Sequence, residues 1–324
     1  MQTFKHIEAR SIEEAVAALR RYEGRACFIA GGTDILGKMK DRVLPGYPEA
    51  LVNLKSIPGL EGIREENGGL SIGAMTRLAD IASHPGVRAR WAALAEAAGR
   101  TASPQLREMG TLGGNLCQDV RCWYYRHPDN RFPCLRKGGG RCYAIDGDNR
   151  CHAIFGGSVE QGCYAVHPSD TAPALIALDA RLVTSKRTVT AADFFTVGVS
   201  RTTVLAADEI MTEVRLPALP AGARSAFLKF ALRRSIDFPI VNCAARIVSS
   251  NGRVTEARIC LNAVAVTPYR PTAAEKTLVG ASLSEESAEA AGEAAVREAR
   301  PLEHNGYMVQ IARTLVKRAV LACS

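Results

Sequence analysis

The sequence contains no long apolar run, no recognisable secretory signal and no known nucleic-acid-binding module. No apolar stretch reaches the roughly 18 residues that a membrane-spanning helix needs, and the residues after Met1 lead into a polar segment that bears acidic side chains. These absences predict a cytoplasmic protein without a membrane partner. A protein exported on a signal-bearing partner would have the same sequence features.

The positive charge is not concentrated in one part of the chain. The formal net charge is +8, from 41 Lys and Arg residues against 33 Asp and Glu residues. The basic residues are scattered, apart from short runs such as Arg233-Arg234. This pattern predicts a solvated, mildly basic surface and no nucleic-acid partner.

Motifs that define common nucleotide and catalytic sites are also missing. The sequence has neither a G-x-G-x-x-G motif nor a P-loop, and its cysteines do not have the plant-type ferredoxin spacing. No Ser/His/Asp or paired-carboxylate constellation emerges from it. Redox chemistry in this chain would therefore belong to bound cofactors.

Residues 1–216 alternate short strands and helices, as layered structures of mixed type do. Ser11 and Glu14 have the spacing of a capping box at the start of an amphipathic helix over 11–22. The other elements predicted here are strands over 26–30, 50–54, 70–74, 181–184 and 209–216 and helices over 76–83, 90–100 and 171–178.

The segment 217–222, which contains two prolines and a glycine, is the clearest linker in the sequence. Beyond it, residues 223–324 form a separate predicted α+β domain. Its predicted elements are strands over 224–234, 240–249 and 253–263 followed by helices over 284–300 and 305–322.

Two glycine-rich turns flank the first predicted layer. An apolar strand runs into Gly31-Gly32-Thr33, and Gly113-Gly114 lies just before a cysteine-rich region. Paired glycines let backbone N–H groups approach a ligand closely, and such a nest of donors suits a pyrophosphate. One such turn is usually only a turn, but two around one layer favour a dinucleotide site.

The order of these motifs resembles the medium, FAD-binding subunit of the xanthine dehydrogenase and carbon monoxide dehydrogenase family. The likeness extends over the whole chain. The segments that carry it are Ala-Gly-Gly-Thr-Asp at 30–34, Ile-Gly-Ala-Met-Thr at 72–76, Gly-Thr-Leu-Gly-Gly-Asn at 110–115, His-Pro-Ser-Asp at 167–170 and Ala-Phe-Leu-Lys-Phe at 226–230.

This resemblance implies an α+β fold and an FAD site. The fold would be a vanillyl-alcohol-oxidase-like (PCMH-type) FAD-binding domain in two subdomains over 1–216, then an α+β domain of the CO dehydrogenase flavoprotein type over 223–324. Residues 29–36 would wrap the pyrophosphate, and Lys229 would lie near the isoalloxazine. The residues expected to bind FAD are Ile29, Ala30, Gly31, Gly32, Thr33, Asp34, Ile35, Leu36, Thr101, Thr111, Gly114, Asn115, Gln118, Ser169, Asp170 and Lys229.

Six of the ten cysteines lie between Cys117 and Cys163, in a segment of about 116–164 that lacks regular patterning. Disulfides are disfavoured by the cytoplasmic prediction. A structural zinc site favours C-x₂₋₄-C pairs, whereas Cys122, Cys134, Cys142 and Cys163 are separated by 12, 8 and 21 positions. An iron–sulfur cluster accepts such wide spacing.

The insertion resembles that of a subset of the family, which includes the flavin subunits of 4-hydroxybenzoyl-CoA reductase and of some bacterial aldehyde oxidoreductases. This resemblance implies a [4Fe–4S] cluster on Cys122, Cys134, Cys142 and Cys163, on a loop attached to the FAD-binding domain alone. Cys151 competes with Cys163 for the fourth position, and Cys117 is expected to be a packed residue.

The implied function is electron transfer inside a molybdenum hydroxylase complex. The substrate site would lie on a large molybdopterin subunit, with a small [2Fe–2S] subunit and an external carrier such as ferredoxin completing a heterotrimer or its dimer. The complex would be an aldehyde or N-heterocycle oxidoreductase or an aryl-CoA reductase, and the direction of electron flow stays open. The alternative is a flavin fold with a structural zinc loop and no relay role.

Overall fold

The computed structural model describes residues 2–158 and 162–324, and within them the strands form three sheets. The chain is of mixed α and β type, as the sequence predicts. The strands are β1 (Lys5–Glu8), β2 (Ala26–Ile29), β3 (Ala50–Asn53), β4 (Ile63–Glu66), β5 (Gly69–Gly73), β6 (Arg181–Thr184), β7 (Thr188–Thr190), β8 (Met211–Leu216), β9 (Ala223–Phe230), β10 (Val241–Ser250) and β11 (Arg253–Asn262).

The helices surround these sheets, and no helix in the described residues is long and apolar enough to cross a bilayer. They are α1 (Ile12–Arg21), α2 (Ile35–Lys40), α3 (Leu78–Ser83), α4 (Pro85–Arg90), α5 (Ala92–Gly99), α6 (Pro104–Arg107), α7 (Leu112–Leu116), α8 (Trp123–Arg126), α9 (Thr171–Ala177), α10 (Thr272–Leu278), α11 (Glu285–Val296) and α12 (Tyr307–Leu321).

The first sheet is parallel, in the order β1-β3-β2. Helix α1 begins at the predicted place, because the Ser11 hydroxyl accepts a hydrogen bond from the Glu14 N–H at 3.1 Å. The Glu14 carboxylate accepts from the Arg10 N–H and not from that of Ser11, so the predicted capping box is shifted by one residue. Strand β1 was not predicted, because its exposed Lys-His-Ile-Glu sequence has no apolar run.

The second sheet has the order β4-β5-β8-β6-β7 and is antiparallel throughout. One apolar core joins it to the first sheet, with the fully buried Trp91 and Leu94 among its residues. The predicted helix over 90–100 is wrong at its start. The chain turns at Trp91, which ends α4 and precedes α5. The Trp91 backbone has a non-helical φ of −117° and ψ of 52°, and its indole is buried.

The C-terminal domain packs α10, α11 and α12 around the antiparallel sheet β11-β10-β9. Alanines of α5 and α9 contact Phe227 of β9 and Ala244 of β10, which joins this domain to the rest of the chain. The Phe227 N–H also donates to the Glu96 carboxylate at 2.7 Å. The predicted strand over 224–234 is too long, since β9 ends at Phe230.

The cysteine-rich insertion is attached to both domains, so the expectation of a loop fixed only to the FAD-binding domain is wrong. The Ile154 N–H donates to the carbonyl of Val264 in the C-terminal domain at 2.8 Å. Phe155 stacks on Tyr269 with ring centroids 3.9 Å apart. The Asn305 amide donates to the carbonyl of His152 at 3.0 Å. The physical reason is that the apolar Ala-Ile-Phe run at 153–155 finds its cover on the C-terminal domain.

Candidate functional site

The two glycine loops lie in direct contact. A Cβ added to Gly31 would lie 1.9 Å from the carbonyl oxygen of Met109, so only glycine permits this approach. Gly32 has a φ of +75°, in the left-handed region that favours glycine. In the second loop the Thr111 hydroxyl accepts from the Gly114 N–H at 3.1 Å and begins α7.

A two-lobed pocket lies on either side of this contact. The lobes enclose about 800 and 1250 Å³, including open solvent at their mouths. Both are lined by residues of the two loops, namely Thr33, Asp34, Thr111, Gly114 and Gln118. The smaller lobe extends to Thr101, Asn115 and Asp170, and the larger one to Ala30, Gly31, Gly32 and Ile35.

The larger lobe presents unpaired backbone donors. The N–H groups of residues 31–34 have no backbone acceptor in the part of the chain that the structure describes. Lys38 also lines this lobe. Unpaired N–H groups beside a cation are the donors that a phosphate group needs.

Asp34 connects the first loop to the start of the cysteine insertion. Its carboxylate accepts from Arg121 at 2.8 Å and from Arg126 at 2.7 Å, and it also accepts from the Asp119 N–H at 2.9 Å. The sequence did not reveal these partners, because they lie more than eighty positions from Asp34.

Asp119 is a partly buried carboxylate of this network. Lys38 pairs with it at 2.7 Å, and the Tyr125 hydroxyl donates to it. Burial alone would raise the pKa of this carboxyl, but the charge and hydrogen bond of Lys38 outweigh burial and lower the pKa to about 2. The carboxylate therefore stays ionised and holds Lys38 at the edge of the larger lobe.

Behind the smaller lobe lies a second buried ion pair. Lys229 donates to Asp170 at 2.7 Å and to the carbonyl of Arg100 at 3.0 Å, while the Asn242 amide donates to the other oxygen of Asp170 at 2.8 Å. Burial raises the pKa of Asp170, against the effect of Lys229. The fully buried Ser169 donates to the side chain of Asn115 at 2.5 Å.

The loop between β9 and β10 extends over the smaller lobe. Ile236, Asp237 and Phe238 line it, and the Arg121 guanidinium lies 4.6 Å from the centroid of the Phe238 ring. Ile236 has a φ of +68°, an uncommon value for a β-branched residue, and its N–H donates to the carbonyl of Ala102 at 3.1 Å.

The structure thus brings most of the predicted FAD-binding residues to one pocket. Four of them do not line it: Ile29, Leu36, Ser169 and Lys229. Ser169 and Lys229 act behind the lining, through Asn115 and Asp170. The lining residues that sequence reasoning missed are chiefly Lys38, Asp119, Arg121, Arg201 and Ile236 to Phe238.

The four predicted ligand cysteines line a separate small pocket. Cys122, Cys134, Cys142 and Cys163 share it with Tyr124, Tyr125 and Tyr143. The interaction of Cys142 with Cys163 lowers the pKa of Cys163 and raises that of Cys142. The structure assigns no disulfide to any of the ten cysteines, and residues 2–158 and 162–324 contain no group of three or more Cys, His, Asp or Glu side chains arranged to hold a metal ion.

Backbone N–H groups near the four sulfurs lower the pKa of these cysteines. They belong to Tyr124 and Tyr125 for Cys122, to Arg136 and Lys137 for Cys134, to Ala144 and Tyr164 for Cys142, and to Ala165 for Cys163. Each of these donors lowers the pKa of its cysteine, although burial raises the pKa of Cys122 to about 12. Donors aimed at sulfur stabilise thiolate more than thiol.

Two nearby cysteines stand apart from this pocket. Cys151 is exposed and contacts Tyr307 of α12, and Cys117 borders the larger lobe of the other pocket. His152 belongs to the wall around the cysteines, since its Nε2 lies 3.2 Å from the sulfur of Cys122. Burial lowers the pKa of His152 to about 4.

Comparison with known proteins matches nearly the whole chain to two domain families. Residues 2–219 match the family described as the FAD binding domain in molybdopterin dehydrogenase, and residues 226–323 match the CO dehydrogenase flavoprotein C-terminal domain. The chain is 34% identical to the aldehyde oxidoreductase FAD-binding subunit PaoB of Escherichia coli, with 97% of this chain and 96% of that protein covered.

Carbon monoxide dehydrogenase is similar in both sequence and structure. The medium chain of the Hydrogenophaga pseudoflava enzyme is 32% identical, with 98% of this chain and 96% of that one covered. A solved structure of carbon monoxide dehydrogenase from this organism superposes with a TM-score of 0.77 and 32% identity, over 99% of this chain and 97% of that one.

Proposed function

Since this chain belongs to the FAD-binding medium subunits of the carbon monoxide dehydrogenase and xanthine oxidase family of molybdenum hydroxylases, we propose that it relays electrons between its FAD and a [4Fe–4S] cluster held by its insertion. The chain is an oxidoreductase subunit that binds FAD. The observation that carries the finer proposal is the small pocket that Cys122, Cys134, Cys142 and Cys163 line together with three tyrosines.

In this proposal the larger lobe holds the pyrophosphate of FAD. The unpaired N–H groups of residues 31–34 donate to the phosphate oxygens, and Lys38 adds a positive charge. The smaller lobe, under Ile236 and Phe238, excludes water from the isoalloxazine. A flavin supplies the exchange of one or two electrons, so it connects two-electron and one-electron redox partners.

The residues around the cysteines fit an anionic iron–sulfur group. The four thiolates would carry negative charge in a buried place, where backbone donors and aromatic cover favour them over water. The wide spacing of the four cysteines along the chain supports a cluster over the short C-x₂₋₄-C pairs of a zinc site. A tetrahedral zinc site is the competing occupant, since zinc also binds four thiolates.

Metal analysis and cysteine replacement test this proposal. Anaerobically prepared chain should contain about four irons and four sulfides, the content of one cubane cluster. Serine at Cys122, Cys134, Cys142 or Cys163 should deplete iron or change the EPR signal of the reduced protein, since a hard alkoxide replaces a soft thiolate poorly. Cys151→Ser and Cys117→Ser are matched controls that should keep the iron. Zinc in place of iron in strictly anaerobic protein would rule out the relay.

The substrate site is proposed to lie on a partner chain. The described residues bring together buried ion pairs and thiols but no catalytic constellation for an organic substrate. We infer a large molybdopterin subunit, a small [2Fe–2S] subunit and a one-electron carrier such as ferredoxin. Similar chains named as an aldehyde oxidoreductase subunit and a nicotinate dehydrogenase FAD-subunit support an aldehyde or N-heterocycle as the substrate of the complex.

A further inference from the structure

Two basic side chains lie beside the four cysteines without an acidic partner. Arg136 lines the cysteine pocket. Its Nη1 donates to the carbonyl of Val199 at 3.0 Å, but its Nε and Nη2 are buried and have no hydrogen-bond acceptor among the described residues. The Nζ of Lys137 is likewise buried without an acceptor there, 5.8 Å from the centroid of the Tyr125 ring.

The local backbone fixes both side chains in this position. Arg136 and Lys137 form a single 3₁₀ turn directly after Cys134, and Gly138 ends it with a φ of +83°. The N–H groups of Lys137 and Gly139 both donate to the Cys134 carbonyl. A Cβ at Gly139 would lie 1.7 Å from the carbonyl oxygen of Pro133, so the turn cannot open at that point without rearrangement.

Such an arrangement requires an anion nearby. A buried cation without a counter-charge is unfavourable by several kcal/mol, and no carboxylate lines this pocket in the part of the chain that the structure describes. The sulfur atoms of the four cysteines share this pocket with Arg136, and negative charge on the group that they hold would supply the missing partner.

We propose that Arg136 and Lys137 set the reduction potential of the group held by the four cysteines, by favouring its reduced and more negative state. This inference rests on the proposed cluster. The potential of an iron–sulfur cluster depends on nearby charge, hydrogen bonds to sulfur and solvent exposure, and a charge in a low-dielectric pocket acts more strongly than one in water. These two positioning residues therefore bias whether electrons rest on the cluster or on the flavin.

The test is a redox titration of the whole chain with dithionite and ferricyanide, followed by EPR. Arg136→Gln and Lys137→Gln should each shift the midpoint potential of the cluster to a more negative value, while the charge-preserving Arg136→Lys and Lys137→Arg should stay near the wild-type potential. Arg141→Gln is the matched control, because Arg141 is exposed over Tyr143 of the same pocket and its charge is screened by water.

Iron and sulfide content separates the outcomes. A neutral variant that keeps four irons and the wild-type potential overturns the inference and leaves the proposed cluster standing. If the neutral variants lose iron while the charge-preserving variants keep it, the result supports a requirement for positive charge at positions 136 and 137. Loss of iron from both kinds of variant would mean that side-chain shape and not charge matters, which also overturns the inference. Wild-type chain without iron refutes the proposed cluster itself.

Discussion

Gly31 lies where the two glycine loops touch, and its missing side chain makes that contact possible. Gly31→Ala should force the loops apart, at a loss of about 1–3 kcal/mol in the free energy of unfolding, because the new Cβ would meet the Met109 carbonyl. Most of the FAD should be lost, as measured by the flavin absorbance released per chain on denaturation.

Gly37→Ala is the control for this change. Gly37 lies in α2, next to the same loop, and a Cβ there would have no atom within 4 Å. Since alanine is the better helix former, this variant should keep its FAD and its stability. Full FAD content in Gly31→Ala would contradict the assignment of the loop contact.

Asp119 makes the stability of the chain depend on pH. Its folded pKa of about 2 lies below the ordinary value of 3.8, so its stabilising effect is present above about pH 4 and is lost as the pH falls toward 2. Asp119→Asn should lower the free energy of unfolding by about 2 kcal/mol at pH 7. Urea unfolding at several pH values should show this difference from wild type shrinking between pH 4 and pH 2.

Asp208→Asn provides the comparison. Asp208 pairs at the surface with Lys186 and Arg20, and exposed pairs contribute little because water and salt screen them. Its replacement should leave the unfolding curve nearly unchanged at moderate salt. Equal losses in the two variants would mean that burial of Lys38, the partner of Asp119, does not matter.

At the scale of elements, the loop between β9 and β10 contributes Ile236, Asp237 and Phe238 to the smaller lobe. Phe238→Ala removes the ring that covers this lobe and supports Arg121, so bound FAD should dissociate several-fold faster. The recovery of flavin fluorescence after dilution measures that rate. Leu232→Ala, in the same loop but 84% exposed and outside the pocket, should leave the rate unchanged, and an unchanged rate in Phe238→Ala would exclude a covering role.

The elements differ in how far the sequence could predict them. Periodic segments such as α1 and the apolar strand β10 were predicted to within one residue, because burial of one face leaves a pattern in the sequence. Strand β1 is polar and exposed, and β7 is only three residues long, so neither carries such a pattern. The break at Trp91 depends on tertiary packing of the indole, which no local signal reveals.

The candidate site likewise contains some features that the sequence predicts and others that it does not. The glycine loops could be identified from the sequence, because their backbone geometry requires glycine. The ion pairs of Asp34 with Arg121 and Arg126 could not, since long-range pairs leave no local spacing. Lys229 pairs with Asp170, which lines the smaller lobe, and its place near the isoalloxazine stays a prediction.

At the scale of the whole molecule, the chain should not act alone. We expect it to co-purify from its native host with a molybdenum subunit and a [2Fe–2S] subunit, as a heterotrimer or its dimer. Native mass spectrometry and molybdenum analysis of the tagged chain measure this directly. Turnover of an organic substrate by the isolated chain would contradict a role confined to electron transfer.

The attachment of the insertion to the C-terminal domain has a consequence for biogenesis. The Ile154 N–H, the Phe155 ring and the His152 carbonyl of the insertion contact Val264, Tyr269 and Asn305. These three partners leave the ribosome about a hundred residues or more after the last pocket cysteine. During translation the four thiols therefore emerge long before the surface that shapes their loop exists. For the proposed cluster, iron delivery would accordingly follow chain release, and the nascent thiols would need protection from oxidation and from stray metal until then.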